Sequence, residues 1–319
     1  MHFFRAAFVA WSLCVLLSSR ISGAFFVAFM EGYMKRDAFS GYHPAVNFIF
    51  FLAVLGFGVM ILHPAFLITG LTGAFSYYLL LRGSKGLKQI MLMMPLFLAV
   101  ILLNPLVNRD GTTVLFLLFG KPYTLEALIY GAVLSGMFLT MILWFSCYSA
   151  VMTGDKFTSL FGNLLPSLSL LLVMIFRMVP SLIRKGKQIT GARQSIGKEM
   201  NGKAEAMRVL GCLTTWALEG SIVTADSMRS RGYGTSKRTS FMIYRVSLRD
   251  WVLLTATLAL SAALIAVISL GHTTATFTPE WYLAPICPIG LLLYGFLGLI
   301  PTLLHLQEAL SWHISRSKI

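Results

Sequence analysis

The sequence predicts an all-α, polytopic membrane helix bundle with about six or seven transmembrane helices and two long helices at the cytoplasmic interface. The 319-residue chain is 57% hydrophobic and its mean hydropathy is +0.77. Only 12% of its residues are charged, whereas soluble domains carry roughly 25%. Several stretches without internal charge are long enough to cross a hydrocarbon core of about 30 Å. The net charge of +14 is concentrated in a few loops.

This positive charge indicates cytoplasmic loops rather than a nucleic-acid interface. Lys and Arg accumulate on the cytoplasmic side of membrane proteins, and no basic stretch of this chain alternates with aromatic residues. We therefore expect no nucleic-acid partner. Neither a disulfide nor a zinc site is expected, because the cysteines are isolated and form no Cys-x-x-Cys pair. They are Cys14, Cys147, Cys212 and Cys287.

The chain begins with an extension, residues 1–40, whose apolar stretch at 6–30 contains Arg20. This stretch fits either an extra membrane helix or an interfacial helix. Three further regions follow: N-terminal transmembrane helices at 41–163, a cytoplasmic region at 164–249, and C-terminal transmembrane helices with a tail at 250–319.

Residues 46–81 are predicted to form a hairpin of two short spans. As one helix this apolar stretch would be about 54 Å long, far beyond the thickness of a bilayer. It is broken only by His63-Pro64, and a residue before proline avoids α geometry. We interpret His63 as a turn residue at the interface, in preference to a ligand. The other spans are predicted at about 89–107, 125–150, 251–270 and 282–304.

The basic region decides the orientation of the chain. Residues 184–249 hold thirteen Lys and Arg against four Asp and Glu, a bias that belongs on the cytoplasmic side. The apolar stretch at 164–180 would carry this region outside if it crossed the membrane. We therefore predict that it begins a helix lying in or under the cytoplasmic interface. Short inner loops are expected at 82–88 and around 155–156.

Two predicted cytoplasmic helices end in a small residue followed by arginine. Polar residues recur with helical periodicity over 203–231, and Gly232 follows, as is typical just past a helix end. The preceding helix runs to Ala192-Arg193 before it is broken near Gly197. One such ending is explained by the helix dipole, which favours a cation at the C-terminus. Two similar endings in one basic region indicate a functional pair.

From about residue 42 to residue 304 the chain resembles the transmembrane T component of energy-coupling factor (ECF) transporters, the EcfT/CbiQ family. The stretch LPSLSLLLVMIFRMVPSLIRKGKQITGARQ is similar to the first coupling helix of that family, and ADSMRSRGYG is similar to its second signature. In that family, Ala-Arg-Gly motifs at the tips of the two coupling helices are each received by a cytoplasmic ATPase subunit. The matching residues are Ala192, Arg193 and Gln194 at the first tip, and Ser230, Arg231 and Gly232 at the second.

Both motifs depart from the family pattern, because Gln194 stands in place of glycine and Ser230 in place of alanine. The resemblance implies a non-catalytic, multi-pass subunit of a bacterial or archaeal inner membrane. Its implied partners are two ABC ATPases, which bind the ATP, and a substrate-binding membrane subunit (S component), besides the lipid bilayer. The S component would select the substrate, either a vitamin or cobalt or nickel.

A membrane-embedded enzyme acting on lipid-phase substrates is the alternative, with basic interfacial helices that recognise anionic headgroups. The residues favour no catalytic, cofactor or metal site. The carboxylates fall outside the predicted spans or near their ends, and the histidines are scattered near predicted helix ends. GARQSIGKE lacks the Walker spacing, since five residues separate Gly191 from Gly197 and Glu199 follows the lysine. We therefore expect no ATP hydrolysis by this chain.

Overall fold

The computed structural model describes residues 37–108, 113–118, 121–161, 166–197, 202–235, 244, 246–276 and 282–316. The predicted extra helix at 6–30 lies outside these residues. Nine α-helices are present in the described part: α1 (Pro44–Met60), α2 (Pro64–Arg82), α3 (Ser84–Val107), α4 (Leu125–Val151), α5 (Gly154–Phe161), α6 (Pro166–Ser195), α7 (Lys203–Ser230), α8 (Leu248–Ser269) and α9 (Pro288–Arg316).

Five of these helices, α2, α3, α4, α8 and α9, are long and apolar enough to cross a membrane. The sixth predicted span corresponds to α1, which is apolar but has only 17 residues. The chain is therefore a multi-pass membrane protein, as its composition predicts. It divides into two compact units, the first formed by Met1–Thr153 with Val246–Ile319 and the second by Gly154–Arg245.

The first unit is a helix bundle in which α2 packs between α4 and α9. Its core is built from aromatic rings. The ring of Phe50 lies 5.1 Å from that of Phe39, 5.4 Å from that of Phe51 and 6.0 Å from that of Trp144, between centroids and in edge-on arrangements. These four side chains are at most 1% exposed. The rings thus join the segment before α1, α1 itself and α4 in one cluster.

A His-Pro-Ala sequence begins both α1 and α2. The second copy lies at the turn predicted at His63-Pro64. Nδ1 of His43 accepts a hydrogen bond from the backbone N–H of Ala45 at 3.2 Å, and Nδ1 of His63 accepts one from Ala65 at 3.3 Å. Each proline occupies the first helical turn, where its missing N–H leaves no hydrogen bond unmade. His63 is therefore the N-cap of α2 and lies at the predicted turn between α1 and α2.

Two predicted inner loops are in fact largely helical. The loop expected at 82–88 is reduced to a turn at Gly83, whose φ of +59° suits glycine, and α3 begins at the next residue. The loop expected around 155–156 is the short helix α5. Charge marks the side of the membrane on which a segment lies, but it does not interrupt a helix.

Two of the segments between predicted spans contain short β-ribbons, which interrupt an otherwise α-helical bundle. Strands β1 (Val114–Leu118) and β2 (Lys121–Thr124) pair antiparallel before α4, and β3 (Ala275–Thr276) pairs with β4 (Tyr282–Leu283) before α9. The last predicted span consequently begins later than expected. The carboxylate of Glu126 accepts hydrogen bonds from the N–H of Thr113 at 3.1 Å and from its hydroxyl at 2.7 Å, which secures the first ribbon to α4.

Helices α2 and α9 pack closely together at Gly73 and Gly298. A Cβ atom placed on Gly73 would lie 3.1 Å from the carbonyl carbon of Gly298 and 3.2 Å from its Cα. Nearby, a Cβ on Gly70 would lie 2.8 Å from the hydroxyl of Tyr294. Small residues allow this approach, and van der Waals contact between helices is a main source of stability in membranes.

Replacing Gly73 by valine should force α2 and α9 apart, because the branched side chain has no space at the Gly298 backbone. We expect the free energy of unfolding in detergent to fall by about 1–3 kcal/mol. Gly56→Val is the matched control, since nothing lies within 4 Å of a Cβ at that exposed position of α1. Denaturant titration of both variants measures the difference, and equal losses would show that the Gly73 contact is unimportant.

Candidate functional site

The predicted docking residues lie in the second unit, at the ends of α6 and α7. Contacts join the last part of α6 to the first part of α7 in antiparallel order. The ammonium of Lys185 lies 5.8 Å from the ring centroid of Trp216, a Cβ on Gly186 would lie 3.5 Å from Leu213, and Arg193 pairs with Glu205. The first tip is therefore adjacent to the beginning of α7.

The first tip does not present its arginine at the very end of the helix. Arg193 lies in the last turn of α6, which continues to Ser195. The N–H of Gly197 then donates to the carbonyl of Gln194 at 3.0 Å, and Gly197 has a φ of +76°. Ala192 and Gln194 are exposed, whereas the side chain of Arg193 is only 19% exposed. The helix break predicted near Gly197 is confirmed.

A carboxylate accounts for the burial of Arg193. Oε1 of Glu205 accepts a hydrogen bond from Nη2 of Arg193, and Oε2 accepts one from Nη1 of Arg208 at 3.3 Å. The Glu205 side chain is 10% exposed, while that of Arg208 is 64% exposed. Glu205 is one of the polar residues that recur with helical periodicity along α7, but its pairing with a residue of α6 depends on how the two helices meet.

The second tip is closed by a Schellman motif. The N–H of Tyr233 donates to the carbonyl of Met228 at 3.0 Å, and the N–H of Gly232 donates to that of Arg229 at 3.0 Å. Gly232 has a φ of +79°, which glycine adopts without steric cost. Ser230 is the last helical residue and Arg231 is the C-cap. The helix end predicted before Gly232 is confirmed.

The two tips differ in how they present their guanidinium groups. Arg231 is exposed, and so are Ser230 and Tyr233, whereas Arg193 is mostly buried and ion-paired. The tips are also far apart along α7. Arg193 contacts Glu205 in the first turn of that helix and Arg231 follows its last residue, a separation of about 39 Å at 1.5 Å per residue. The structure thus places the two motifs at opposite ends of one helix.

Much of the apolar surface of α6 and α7 is exposed. The side chains of α6 between residues 168 and 183 face outward around most of the helix, and α7 adds a second exposed apolar set. A helix that is hydrophobic on all sides normally lies inside a protein or a membrane, so this surface is suited to a partner. The most exposed members are Ile183, Met207, Leu210, Leu218, Ile222 and Val223.

Comparison with known proteins adds no assignment, because no protein-family model and no curated protein matches this chain. The arguments for function therefore depend on the residues and their geometry.

A buried polar cluster in the first unit was missed by the sequence reasoning, which treated the histidines as scattered. Oδ2 of Asp37 accepts a hydrogen bond from the hydroxyl of Tyr77 at 2.5 Å, and Nδ1 of His305 lies 2.7 Å from Oδ1 of Asp37. Nearby, Oδ1 of Asp250 accepts from the N–H of His43 at 2.9 Å. The two carboxylates attach the segment before α1 to α2, α8 and α9. No periodic signal relates residues so distant in the chain.

Gly232→Ala should destabilise the end of α7, because alanine at a φ of +79° is strained by roughly 1 kcal/mol. Gly220→Ala, at an exposed position inside the same helix with nothing within 4 Å of its Cβ, should stabilise the helix slightly. Hydrogen exchange of the peptide covering residues 226–234 measures both effects. Faster exchange is expected for the first variant and unchanged or slower exchange for the second, and the reverse order would contradict the cap.

Proposed function

We propose that this chain is the transmembrane coupling subunit, or T component, of an ECF-type ABC importer. The observation that carries the proposal is the pair of arginine-bearing tips at opposite ends of α7, with Arg231 exposed at a helix end that Gly232 closes. Helices α6 and α7 serve as the two coupling helices. They belong to the region at 164–249, whose basic part at 184–249 the positive-inside rule assigns to the cytoplasmic side of a bacterial or archaeal inner membrane.

Arginine is suited to docking on an ATPase. Its guanidinium is planar, permanently charged and offers five donors, so a groove lined with carboxylates can bind it through charge-assisted, bidentate hydrogen bonds. Each tip engages one of two ABC ATPase subunits. A separation of about 39 Å along α7 gives each tip room for its own subunit.

The chain transmits motion and performs no chemistry of its own. ATP binds to the ATPase subunits and closes that pair, which moves the two tips relative to each other. Because α6 and α7 are continuous helices, this movement is transmitted along their length. The exposed apolar surface of α6 is suited to a membrane partner, the substrate-binding S component, since large exposed apolar patches mark interaction sites. That subunit selects the substrate, a vitamin or cobalt or nickel.

Removing the tip arginines should uncouple the ATPases. We expect Arg231→Ala to weaken binding of the copurifying ATPase pair by about 2–5 kcal/mol, the range for a desolvated charge pair at an interface. The double variant Arg193→Ala/Arg231→Ala should lose both binding and transport. Pull-down and substrate uptake in proteoliposomes measure these effects.

Matched controls exist beside each tip. Arg229→Ala and Arg184→Ala remove exposed arginines of the same two helices and should leave ATPase binding nearly unchanged. Thermal unfolding of every variant is needed as well, because Arg193→Ala leaves the buried Glu205 without its main partner. If the double variant remains folded, binds the ATPases normally and still transports, the coupling role is wrong.

The proposed topology has its own test. A thiol introduced by Arg231→Cys, in a background where the native cysteines are replaced by serine, should react with a membrane-impermeant maleimide only when the cytoplasmic face is open. Leu270→Cys, at the C-terminal end of α8 and highly exposed, is expected on the opposite face and serves as the control. Labelling of position 231 from outside intact cells would reject the cytoplasmic assignment.

A further inference from the structure

Glu205 is the only carboxylate among the described residues that pairs with a predicted docking arginine. It belongs to the first turn of α7, and its side chain is nine-tenths buried. A carboxylate so far from water needs a partner to remain charged. Arg193 is its less exposed partner, since Arg208 remains 64% exposed and an ion pair in water contributes little.

Glu205 would retain favourable interactions if Arg193 left. Its position in the first turn places the carboxylate near the positive end of the α7 dipole. Arg208, one turn further along the same helix, already donates to its second oxygen at 3.3 Å. Release of Arg193 therefore leaves Glu205 with a weaker partner and the helix dipole, which lowers the cost of breaking this buried ion pair.

Arg193 itself is incompletely satisfied in this arrangement. Its Nη2 donates to Glu205, but its Nε is buried and has no hydrogen-bond partner among the described residues. A guanidinium reaches its best geometry when two donors meet one carboxylate. A second carboxylate that approached in bidentate geometry could offer Arg193 more than Glu205 does.

We propose that Glu205 gates the first tip: it holds Arg193 in the free chain, and docking of an ATPase subunit exchanges Glu205 for a carboxylate of that subunit. This inference rests on the proposed coupling function and deepens it. The exposed Arg231 tip needs no such exchange, so the second tip engages an ATPase first and more tightly. The two ATPase positions are thereby inequivalent even if two identical subunits occupy them.

The test isolates the first tip by working in the Arg231→Ala background. Glu205→Gln keeps the size of the side chain and removes its charge, so Arg193 is released from competition. We expect the full chain in nanodiscs to bind the copurifying ATPase pair about five- to tenfold more tightly than Arg231→Ala alone. Adding Arg193→Ala should abolish this gain, because the gain acts through that guanidinium.

A second measurement tests the ion pair between Arg193 and Glu205 in the absence of any ATPase. The rate at which phenylglyoxal modifies Arg193 in the purified full chain, followed by mass spectrometry of its peptide, should rise several-fold in Glu205→Gln. Glu219→Gln removes an exposed carboxylate from the same helix and should change neither this rate nor ATPase affinity.

The outcomes separate the alternatives. Weaker ATPase binding in Glu205→Gln together with faster modification would mean that Glu205 positions Arg193 for docking, which overturns gating. An unchanged modification rate would show that the ion pair does not protect Arg193 and also overturns it. If the wild-type chain binds no ATPase, the proposed coupling function fails and the exchange step with it, while the modification rate still decides whether Glu205 holds Arg193.

Discussion

The close contact of α2 with α9 at Gly73 and Gly298 is the packing constraint on which the membrane bundle depends. Lipid provides no hydrophobic driving force between helices, so association depends on close van der Waals contact and on a few buried polar bonds. The glycine contact supplies the first, and the hydrogen bond that Tyr77 donates to Asp37, with His305 close to the same carboxylate, supplies the second. Both hold α2 against α9, while the aromatic cluster around Phe50 and Trp144 packs α1 against α4.

The second unit is held together by different contacts. It has few large buried side chains among its described residues, and its helices α6 and α7 meet through an ion pair, a cation–π contact and limited apolar packing. An assembly held in this way leaves apolar surface and charged ends available to other molecules. That is the property expected of an element that transmits force between subunits, and it agrees with the proposed coupling role.

Much of the candidate site could be predicted from the sequence because helix ends have local causes. Glycine at Gly197 and Gly232 adopts the positive φ that ends α6 and α7, and both breaks fall where the pattern indicates. The exposure of the two arginines could not be predicted in this way. The burial of Arg193 depends on Glu205, a residue of another helix. Local periodicity contains no information about which residues of two helices come into contact.

The sequence by itself determined the membrane class, the approximate positions of the apolar helices and the two arginine-bearing helix ends, because hydropathy, proline and glycine act over a few neighbouring residues. Tertiary structure alone decided the remaining features. In the first unit it brought Asp37 to His305, placed Gly73 against Gly298 and folded loop segments into short ribbons. In the second unit it paired Arg193 with Glu205 and left Arg231 exposed. Each of these depends on contact between residues that are distant in the chain, which only the packed helices bring together.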